Sequence, residues 1–486
     1  MSANTDSTTS EPGLLWAAAA SVAAFGSWML FDALPGINWA LWTGAAAAGL
    51  ALFARQRGGG RQSALIMGGV ATVIAGAAAV TDNQPLTALI CLAVALFLSM
   101  QMLVAAAPSL RSVTLWFAAT APFVALRIAA VQTLHHGTEA THHIRSARTR
   151  AWVRGLAITL PVLVVFALLL ANADPIFAAS RDAIASLFAS WEFVPRTVFF
   201  GVLLVVVLGA YGYASAGPET APAGQGDTHS RWLTATERLL LLGGVAALLW
   251  LFLALQLGYL FGNLPSTPAS GMTFAEYARR GFGELTFVAS ASALLIVGSE
   301  RYGSDERKGV LRLVTFAVIA AVLLLLGSAF RRVLLYEAAY GFTTARLYAQ
   351  VYMCAVAAAL VMLSLEVAGD FDAGRLFRRA GAAATILFIA LAYWNHEAWI
   401  ARQNMDRYAS TGKLDVAYLT GSLSPDAIPS IGERLPSFPE PLRSEIRDAV
   451  RKRYPGHDMG RQRAWYEWNL ASTRARQAVE SSFALP

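Results

Sequence analysis

Four short segments of the chain carry charged and polar side chains at spacings that could support binding or catalysis. The first is Asn172-Ala173-Asp174-Pro175, in which the proline disfavours helix at the preceding residue and so places Asp174 at a turn. A carboxylate in this position could act as a general base, or it could cap the turn. Both roles are open, and the capping role is the simpler one.

The second segment runs from Phe274 to Leu285 and alternates acids with bases. If it is helical, residues at intervals of four form an acid-base-acid ladder of Glu276, Arg280 and Glu284. Arg279 lies outside this ladder and is less favourably placed to pair with a carboxylate. Beside Tyr277 it could instead bind a lipid phosphate through paired hydrogen bonds. Ordinary snorkelling of an interfacial arginine would explain the same residue.

The third segment begins with Arg331 and Arg332, immediately after the apolar run from Leu313 to Phe330. At about 1.5 Å per residue, that run is about 27 Å long as a helix, close to the thickness of a bilayer core. The paired arginines therefore mark the point at which this helix leaves the membrane.

A tight helical hairpin is predicted just beyond these arginines. Gly341 suits a helix end, and Thr343 suits the N-cap of the next helix. Glu337 and Arg346 then lie on opposite arms of the hairpin and could form an ion pair. Such a pair could be purely structural, or it could belong to a binding site at the membrane boundary.

The fourth segment follows the last apolar run of the chain. His396 and Glu397 begin the pattern HExxH of zinc proteases, but Ile400 stands where the second histidine is required, so that motif fails. Arg402 and Asn404 follow within two helical turns. They complete the set of polar groups that the sequence places near one membrane boundary.

The composition places these segments in a membrane protein. Of 486 residues, 56% are hydrophobic and only 14% are charged, whereas about 25% of the residues in a soluble domain are charged. A water-soluble enzyme is therefore excluded, and we expect no nucleic-acid partner. The two cysteines, Cys91 and Cys354, lie far apart in apolar runs, so we expect neither a disulfide nor a metal site, and no cofactor.

Eleven apolar runs without a charged residue are candidates for crossing a bilayer as helices. None contains Asp, Glu, Lys, Arg or His, which argues against an ion-coupled transporter, because such proteins commonly hold an ionisable group near the midplane. The runs extend from Leu14 to Phe31, Ile37 to Phe53, Ala64 to Val80, Leu86 to Ala107, Gly155 to Ala171, Thr197 to Ala214, Leu239 to Phe261, Leu285 to Ser299, Leu313 to Phe330, Leu347 to Leu365 and Ala380 to Asn395.

A twelfth apolar stretch, Ser112 to Leu134, is interrupted by Arg127 and is predicted to lie on the cytoplasmic membrane surface as an interfacial helix. With eleven crossings and a cytoplasmic N-terminus, the cytoplasmic loops hold more than twice as many Lys and Arg residues as the outer loops. Counting this stretch as a crossing would give the outer side the larger number. The positive-inside rule therefore favours eleven crossings and an extracytoplasmic C-terminus.

These patterns divide the membrane part of the chain. Residues 1–13 are predicted to be disordered, and residues 14–214 hold membrane helices one to six with the interfacial helix at 112–134. Residues 215–233 form a flexible cytoplasmic linker rich in Gly and Pro, and residues 234–395 hold membrane helices seven to eleven.

Residues 396–486 have the composition of a separate unit outside the membrane, because charged residues become much more frequent there. Apolar residues at helical spacing predict a small extracytoplasmic helical domain. Trp465, Trp468 and Val479 are predicted to anchor its last helix.

The outer segments together resemble a bacterial family of polytopic membrane proteins, domain of unknown function 4173, formerly grouped with 4153. The resemblance covers roughly Gly155 to the C-terminus. It implies a polytopic helical membrane architecture, and since that family has no assigned activity, it implies no catalytic residue. The matching residues are Ala173-Asp174-Pro175, Glu276-Tyr277-Ala278-Arg279-Arg280-Gly281-Phe282, Tyr336-Glu337-Ala338-Ala339-Tyr340-Gly341, Ala401-Arg402-Gln403-Asn404, Leu414-Asp415 and Trp468-Asn469-Leu470.

The sequence thus favours an all-α, multi-pass protein of the bacterial inner membrane that acts as a non-enzymatic envelope scaffold or sensor. We expect it to bind an anionic lipid headgroup or an envelope protein partner at the outer membrane boundary. The alternatives are an uncoupled transporter and a membrane-embedded enzyme acting on a lipid-linked substrate. The candidate ligand-binding residues are Asp174, Glu276, Tyr277, Arg279, Arg280, Glu284, Arg331, Arg332, Glu337, Arg346, Arg402 and Asn404.

Overall fold

The structure, a computed structural model, is built from helices. Within the described residues every regular element is helical, and the single β-type contact is an isolated bridge between Leu233 and Gly303. The predicted all-α fold is confirmed. The described residues are 12–54, 60–105, 115–141, 193–216, 233–261, 282–303, 308–454 and 463–483.

The chain forms two compact units, which are described separately. Unit 1 comprises residues 1–80, 84–223 and 463–470, and unit 2 comprises residues 81–83, 224–462 and 471–486. In unit 1 the long helices are α1 (Pro12–Leu30), α2 (Ile37–Phe53), α3 (Gly60–Gly76), α4 (Gln84–Ala105), α5 (Leu115–Thr141) and α6 (Phe193–Ala216).

Unit 2 contains a set of long apolar helices followed by shorter helices. The long ones are α7 (Ala235–Phe261), α8 (Phe282–Tyr302), α9 (Lys308–Tyr340), α10 (Thr344–Ala368) and α11 (Ala373–Tyr393). The shorter ones are α12 (His396–Thr411), α13 (Ile428–Arg434), α14 (Leu442–Arg453) and α15 (Leu470–Ser482).

Eight helical stretches in the described residues are long and apolar enough to cross a membrane, so the predicted multi-pass character is confirmed. The predicted number of eleven crossings is not confirmed. Helix α2 is shorter than a span, α8 is not among the eight, and the run from Gly155 to Ala171 lies outside the described residues. The eight stretches belong to α1, α3, α4, α6, α7, α9, α10 and α11.

Residues 115–134 of the predicted interfacial stretch belong to α5, which is 27 residues long and packs against α4 and α6; residues 112–114 lie outside the described residues. Thr133 Oγ1 donates to the Val205 carbonyl of α6 at 2.7 Å. Gly209 of α6 approaches α5 so closely that a Cβ there would overlap the Ala129 carbonyl. The placement of this helix on the membrane surface stays a prediction.

Uncharged polar side chains join the helices of unit 1. Gln101 of α4 donates through Nε2 to the Ala47 carbonyl at 2.8 Å, and the Tyr211 hydroxyl of α6 donates to the adjacent Ala46 carbonyl at 3.1 Å. Both side chains are almost completely buried. They reach the backbone of α2 because Gly68 and Gly49 leave room that a Cβ would fill.

The long helices of unit 2 pack around a continuous aliphatic cluster contributed by α7 to α11. An ion pair joins the beginning of α7 to the end of α8. The buried Arg238 contacts the partly buried Glu300 through Nη2 and Oε1 at 2.7 Å, and its Nε donates to Ser299 Oγ at 3.1 Å.

A second core lies in the C-terminal part of unit 2, built from α12 to α15 and the turns between them together with Leu347 of α10. Val479 is buried on α15, as the sequence predicts, and Ala475 and Phe483 are buried beside it. The prediction that Trp465 and Trp468 anchor this helix is wrong. Their side chains are 65% and 44% exposed, and they belong to the segment assigned to unit 1.

Gly209 provides a test of the contact between α5 and α6. We expect Gly209→Ala to lower the stability of the protein by about 1–3 kcal/mol, because the new methyl group meets backbone rather than a movable side chain. Thermal unfolding in detergent measures the change. Gly201→Ala is the matched control, because Gly201 lies on the same helix with nothing within 4 Å of its Cβ position. Equal stability of the two variants would contradict the close approach.

Candidate functional site

The turn between α9 and α10 forms the predicted hairpin. Helix α9 ends at Tyr340, Gly341 has a left-handed φ of 86°, and the Thr343 hydroxyl accepts from the Arg346 backbone N–H at 3.4 Å. A Cβ at position 341 would lie 2.5 Å from Asn404 Oδ1. Both the backbone conformation and the lack of space therefore require glycine at this turn.

Helix α12 fixes this turn with two polar side chains. Asn404 accepts from the Phe342 N–H at 2.7 Å and donates to the Phe342 carbonyl at 2.8 Å. Arg407 donates to the Ala338 carbonyl at 3.0 Å and also to the Ala339 carbonyl. Since these carbonyls lie in the last turn of α9, Arg407 satisfies acceptors that the helix leaves open.

Glu337 and Arg346 lie near each other, but each has another hydrogen-bonding partner. The buried Glu337 carboxylate accepts from Gln350 Nε2 at 2.7 Å. The Arg346 guanidinium donates to the Gly341 carbonyl and lies 4.1 Å from the centroid of the Tyr336 ring. The predicted ion pair is replaced by these contacts, and the arginine acts on the carboxylate only as a nearby charge.

The other candidate residues divide into three groups. Arg402 donates to Ser430 Oγ at 3.1 Å and so contributes to the fold of the C-terminal part. Arg331 is exposed and Arg332 is partly exposed in the C-terminal third of α9. Glu284 is the third residue of α8, but its side chain lies outside the description, as do Asp174, Glu276, Tyr277, Arg279 and Arg280 altogether.

A further group of polar side chains, here called the carboxylate cluster, is buried at the beginning of α12. Its two central carboxylates are Glu397 and Asp426, which are 2% and 4% exposed. The cluster brings together three separate stretches of unit 2 and consists of Thr81, Asp82, Asn83, Glu397, Ser424 and Asp426.

Neutral donors surround both oxygens of Glu397. Asn83 Nδ2 donates to Oε1 at 2.7 Å, and the Ser424 backbone N–H donates to Oε2 at 2.8 Å. The Ser424 hydroxyl also binds Oε2. A buried carboxylate without such donors would be strongly destabilising, so these contacts are what permits Glu397 in this position.

Asp426 has a comparable set of partners. Thr81 Oγ1 donates to Oδ2 at 2.6 Å, and the Asp82 backbone N–H donates to Oδ1 at 2.8 Å. The pKa of Asp426 is raised to about 6, mainly by burial and also by the nearby charges of Glu397 and Asp82, whereas the hydrogen bonds from Thr81 and Asp82 oppose the rise. The folded protein therefore binds a proton here at a pH at which an exposed aspartate is ionised.

His396 borders the cluster and is 1% exposed. Its Nδ1 lies 3.2 Å from the Trp394 carbonyl, and its Nε2 lies 3.0 Å from the Tyr348 hydroxyl. Since a carbonyl only accepts, Nδ1 carries the proton and Nε2 accepts from the tyrosine. Burial lowers the pKa of His396, so the imidazole is neutral at pH 7.

These contacts show what the two regions can do. Asn404 hydrogen-bonds to the backbone of the turn and so holds the hairpin against α12. The side chains of the carboxylate cluster hydrogen-bond to backbone groups and to one another, and so hold residues 81–83 against the beginning of α12. Among the described residues, no three His, Cys, Asp or Glu side chains are grouped as metal ligands. Among the described candidate residues, Arg331 and Arg402 are exposed and Arg332 is partly exposed.

A model of the family described as Domain of unknown function (DUF4153) matches residues 68–434. The chain belongs to this family. The predicted resemblance to a polytopic membrane family of unknown function is confirmed for the number 4153, whereas the number 4173 is not confirmed. The match begins earlier in the chain than the predicted range and ends before the C-terminus. The DUF4153 match includes the hairpin and the carboxylate cluster. No curated protein and no solved structure matches the chain.

The raised pKa of Asp426 predicts a pH-dependent stability. The folded state holds this proton to about pH 6, whereas the unfolded chain loses it near pH 3.8, so stability from this group falls as the pH rises between the two values. His396 contributes with the opposite pH dependence. Because its pKa is lowered in the folded state, its contribution to stability grows as the pH rises. Comparing the protein with Asp426→Asn isolates the first contribution.

As the pH rises from 4 to 7, we expect the free energy of unfolding of the wild type to fall by up to about 3 kcal/mol relative to that of Asp426→Asn. Thermal or denaturant unfolding across that range measures the difference. Asp448→Asn, at an exposed position on α14, is the control and should parallel the wild type. A difference that stays constant or grows in favour of the wild type as the pH rises would contradict the shift.

Proposed function

We propose that this DUF4153 protein is a non-enzymatic scaffold or sensor of the bacterial inner membrane, and that it binds anionic lipid headgroups at its outer membrane boundary. The observation that supports the proposal is the position of Arg331 and Arg332 in the C-terminal third of a single continuous helix. Helix α9 is 33 residues long, and the apolar part that precedes the arginines is long enough to cross the bilayer core.

The surface around the arginines has the character of a headgroup-level surface. Leu334, Leu335 and Tyr340 follow on the same helix with exposed side chains, so apolar and cationic groups alternate beyond the membrane core. An arginine at this depth can extend its guanidinium to a lipid phosphate and form paired hydrogen bonds with it. Glu337, the acid on the same turns, is buried and bound to Gln350, so it does not cover this surface.

The packing of unit 2 supports a scaffold over a transporter. The helices from α7 to α11 meet in an aliphatic cluster, and the polar residues near the outer boundary are used to fix the hairpin to α12. Such an arrangement presents the outer end of α9 on a rigid support. A headgroup bound there would report on the lipid composition of the outer leaflet, or would place the protein in anionic regions of the membrane.

The proposal is tested with the charge-neutral double variant Arg331→Gln/Arg332→Gln. Each arginine near an anionic surface contributes about 1 kcal/mol, so we expect the double variant to retain phosphatidylglycerol and cardiolipin up to about thirty-fold less well than the wild type. Native mass spectrometry of protein taken from nanodiscs of defined composition measures the retained lipid. Phosphatidylcholine retention should stay unchanged.

The matched control is Lys413→Gln/Lys452→Gln, which removes the same charge from exposed positions of the C-terminal part. We expect it to retain anionic lipid as the wild type does. Equal retention in all three proteins, or equal loss in both double variants, would contradict a headgroup site at the end of α9.

A further inference from the structure

An aromatic group lies at the end of the first membrane helix. Trp28, in the last turn of α1, has its ring centroid 6.1 Å from that of Trp465 and 5.6 Å from that of Tyr466. Trp465 and Tyr466 meet edge to face at 5.7 Å. A C-terminal stretch of the chain therefore returns to the end of a helix that begins near the N-terminus, and all of these residues belong to unit 1.

Residues 463–470, here called the return segment, are fixed in this position by buried polar contacts. The Glu467 carboxylate is 0% exposed, and it accepts from the Leu34 N–H at 2.9 Å and from the Ala464 N–H at 2.8 Å. Arg463 donates to the Pro35 carbonyl at 2.9 Å. The segment is thus held by the connection between α1 and α2 rather than by its tryptophans.

The backbone contact at the beginning of α2 is equally close. The Ile37 N–H donates to the Trp468 carbonyl at 3.1 Å. Gly36 leaves room for this approach, because a Cβ there would lie 2.6 Å from the backbone of Glu467. The position of the return segment relative to the ends of α1 and α2 is therefore set by its backbone and by one buried acid.

Two indoles of this fixed segment remain uncovered. The side chain of Trp465 is 65% exposed and that of Trp468 is 44% exposed, while Trp28 beside them is 47% exposed. An exposed indole is most stable where its apolar ring contacts an apolar phase and its N–H group donates to an acceptor. The boundary between lipid and water is such an environment, and Trp is enriched there.

The depth of the group follows from α1. Gly13–Leu30 is a candidate membrane span, so its last turn lies at a membrane boundary and Trp28 lies within that turn. We propose that the return segment lies in the headgroup layer of the membrane that α1 spans, with Trp465 and Trp468 inserted among the lipids. The protein would then meet the membrane again after its last apolar helix. This proposal does not depend on the headgroup site at α9.

Depth-dependent quenching in the full-length protein tests the insertion. Cys91→Ala/Cys354→Ala provides a background without cysteine, into which Trp465→Cys is introduced and labelled with bimane after reconstitution into vesicles. Quenching is measured with a lipid that carries a nitroxide on its headgroup, and with iodide in the water. Leu92→Cys, at a 67% exposed position within α4, is the membrane reference, and Lys413→Cys is the reference outside it.

We expect the headgroup nitroxide to quench the label at position 465 at least twofold more strongly than at position 413, and iodide to quench it at least twofold less. Quenching at position 465 that matches position 413 with both agents would overturn the proposal. Trp468→Cys repeats the measurement at a second point of the segment and should give the same result.

A second measurement guards against disturbance by the cysteine substitutions. In vesicles of brominated lipid, tryptophan fluorescence of the wild type is compared with that of Trp465→Phe/Trp468→Phe. The difference in emission between the two proteins is the emission of the two indoles. If they are inserted, this difference is smaller in brominated vesicles than in vesicles of the same lipid without bromine. An equal difference in both kinds of vesicle would show that they face water, and would overturn the proposal.

Discussion

The need to satisfy every backbone polar group without help from water governs this structure. In a bilayer core an unpaired N–H or carbonyl costs several kcal/mol, so only helices can cross it here, and each helix still leaves open groups at its two ends. Unit 2 meets that need with side chains from beyond its last apolar helix. Arg407 binds carbonyls at the end of α9, and the Tyr418 hydroxyl accepts from the Thr344 N–H at 2.9 Å at the beginning of α10.

The same constraint explains why several candidate binding residues have internal partners. Asn404, Arg346 and Glu337 occur where the hairpin between α9 and α10 needs donors and acceptors, and each is used there. The carboxylate cluster is a further case, because Glu397 and Asp426 bind backbone N–H groups as well as side chains. Polar residues next to apolar helices can therefore indicate a fixed connection between elements rather than a binding site.

The features that could be predicted from the sequence are those with a local pattern, namely the apolar helices and the hairpin. The apolar runs located eight of the candidate spans, and Gly341 with Thr343 located the hairpin, because a left-handed residue and an N-cap have local signatures. The partners could not be predicted in this way. Thr81 and Asp426 are separated by 345 residues, and nothing in either neighbourhood indicates the other. Trp465 and Trp468 were wrongly predicted to anchor the last helix, because apolar character alone does not distinguish a buried position from an exposed one.

We propose that the C-terminal end of α9 and the C-terminal part of unit 2 lie on the extracytoplasmic side of the membrane. Fusing a reporter after Pro486 tests this most directly. We predict that alkaline phosphatase fused there is active in whole cells, and that a green fluorescent protein exported through the general secretion route is dark at the same position. A fluorescent fusion with inactive phosphatase would place this end in the cytoplasm and would contradict the account.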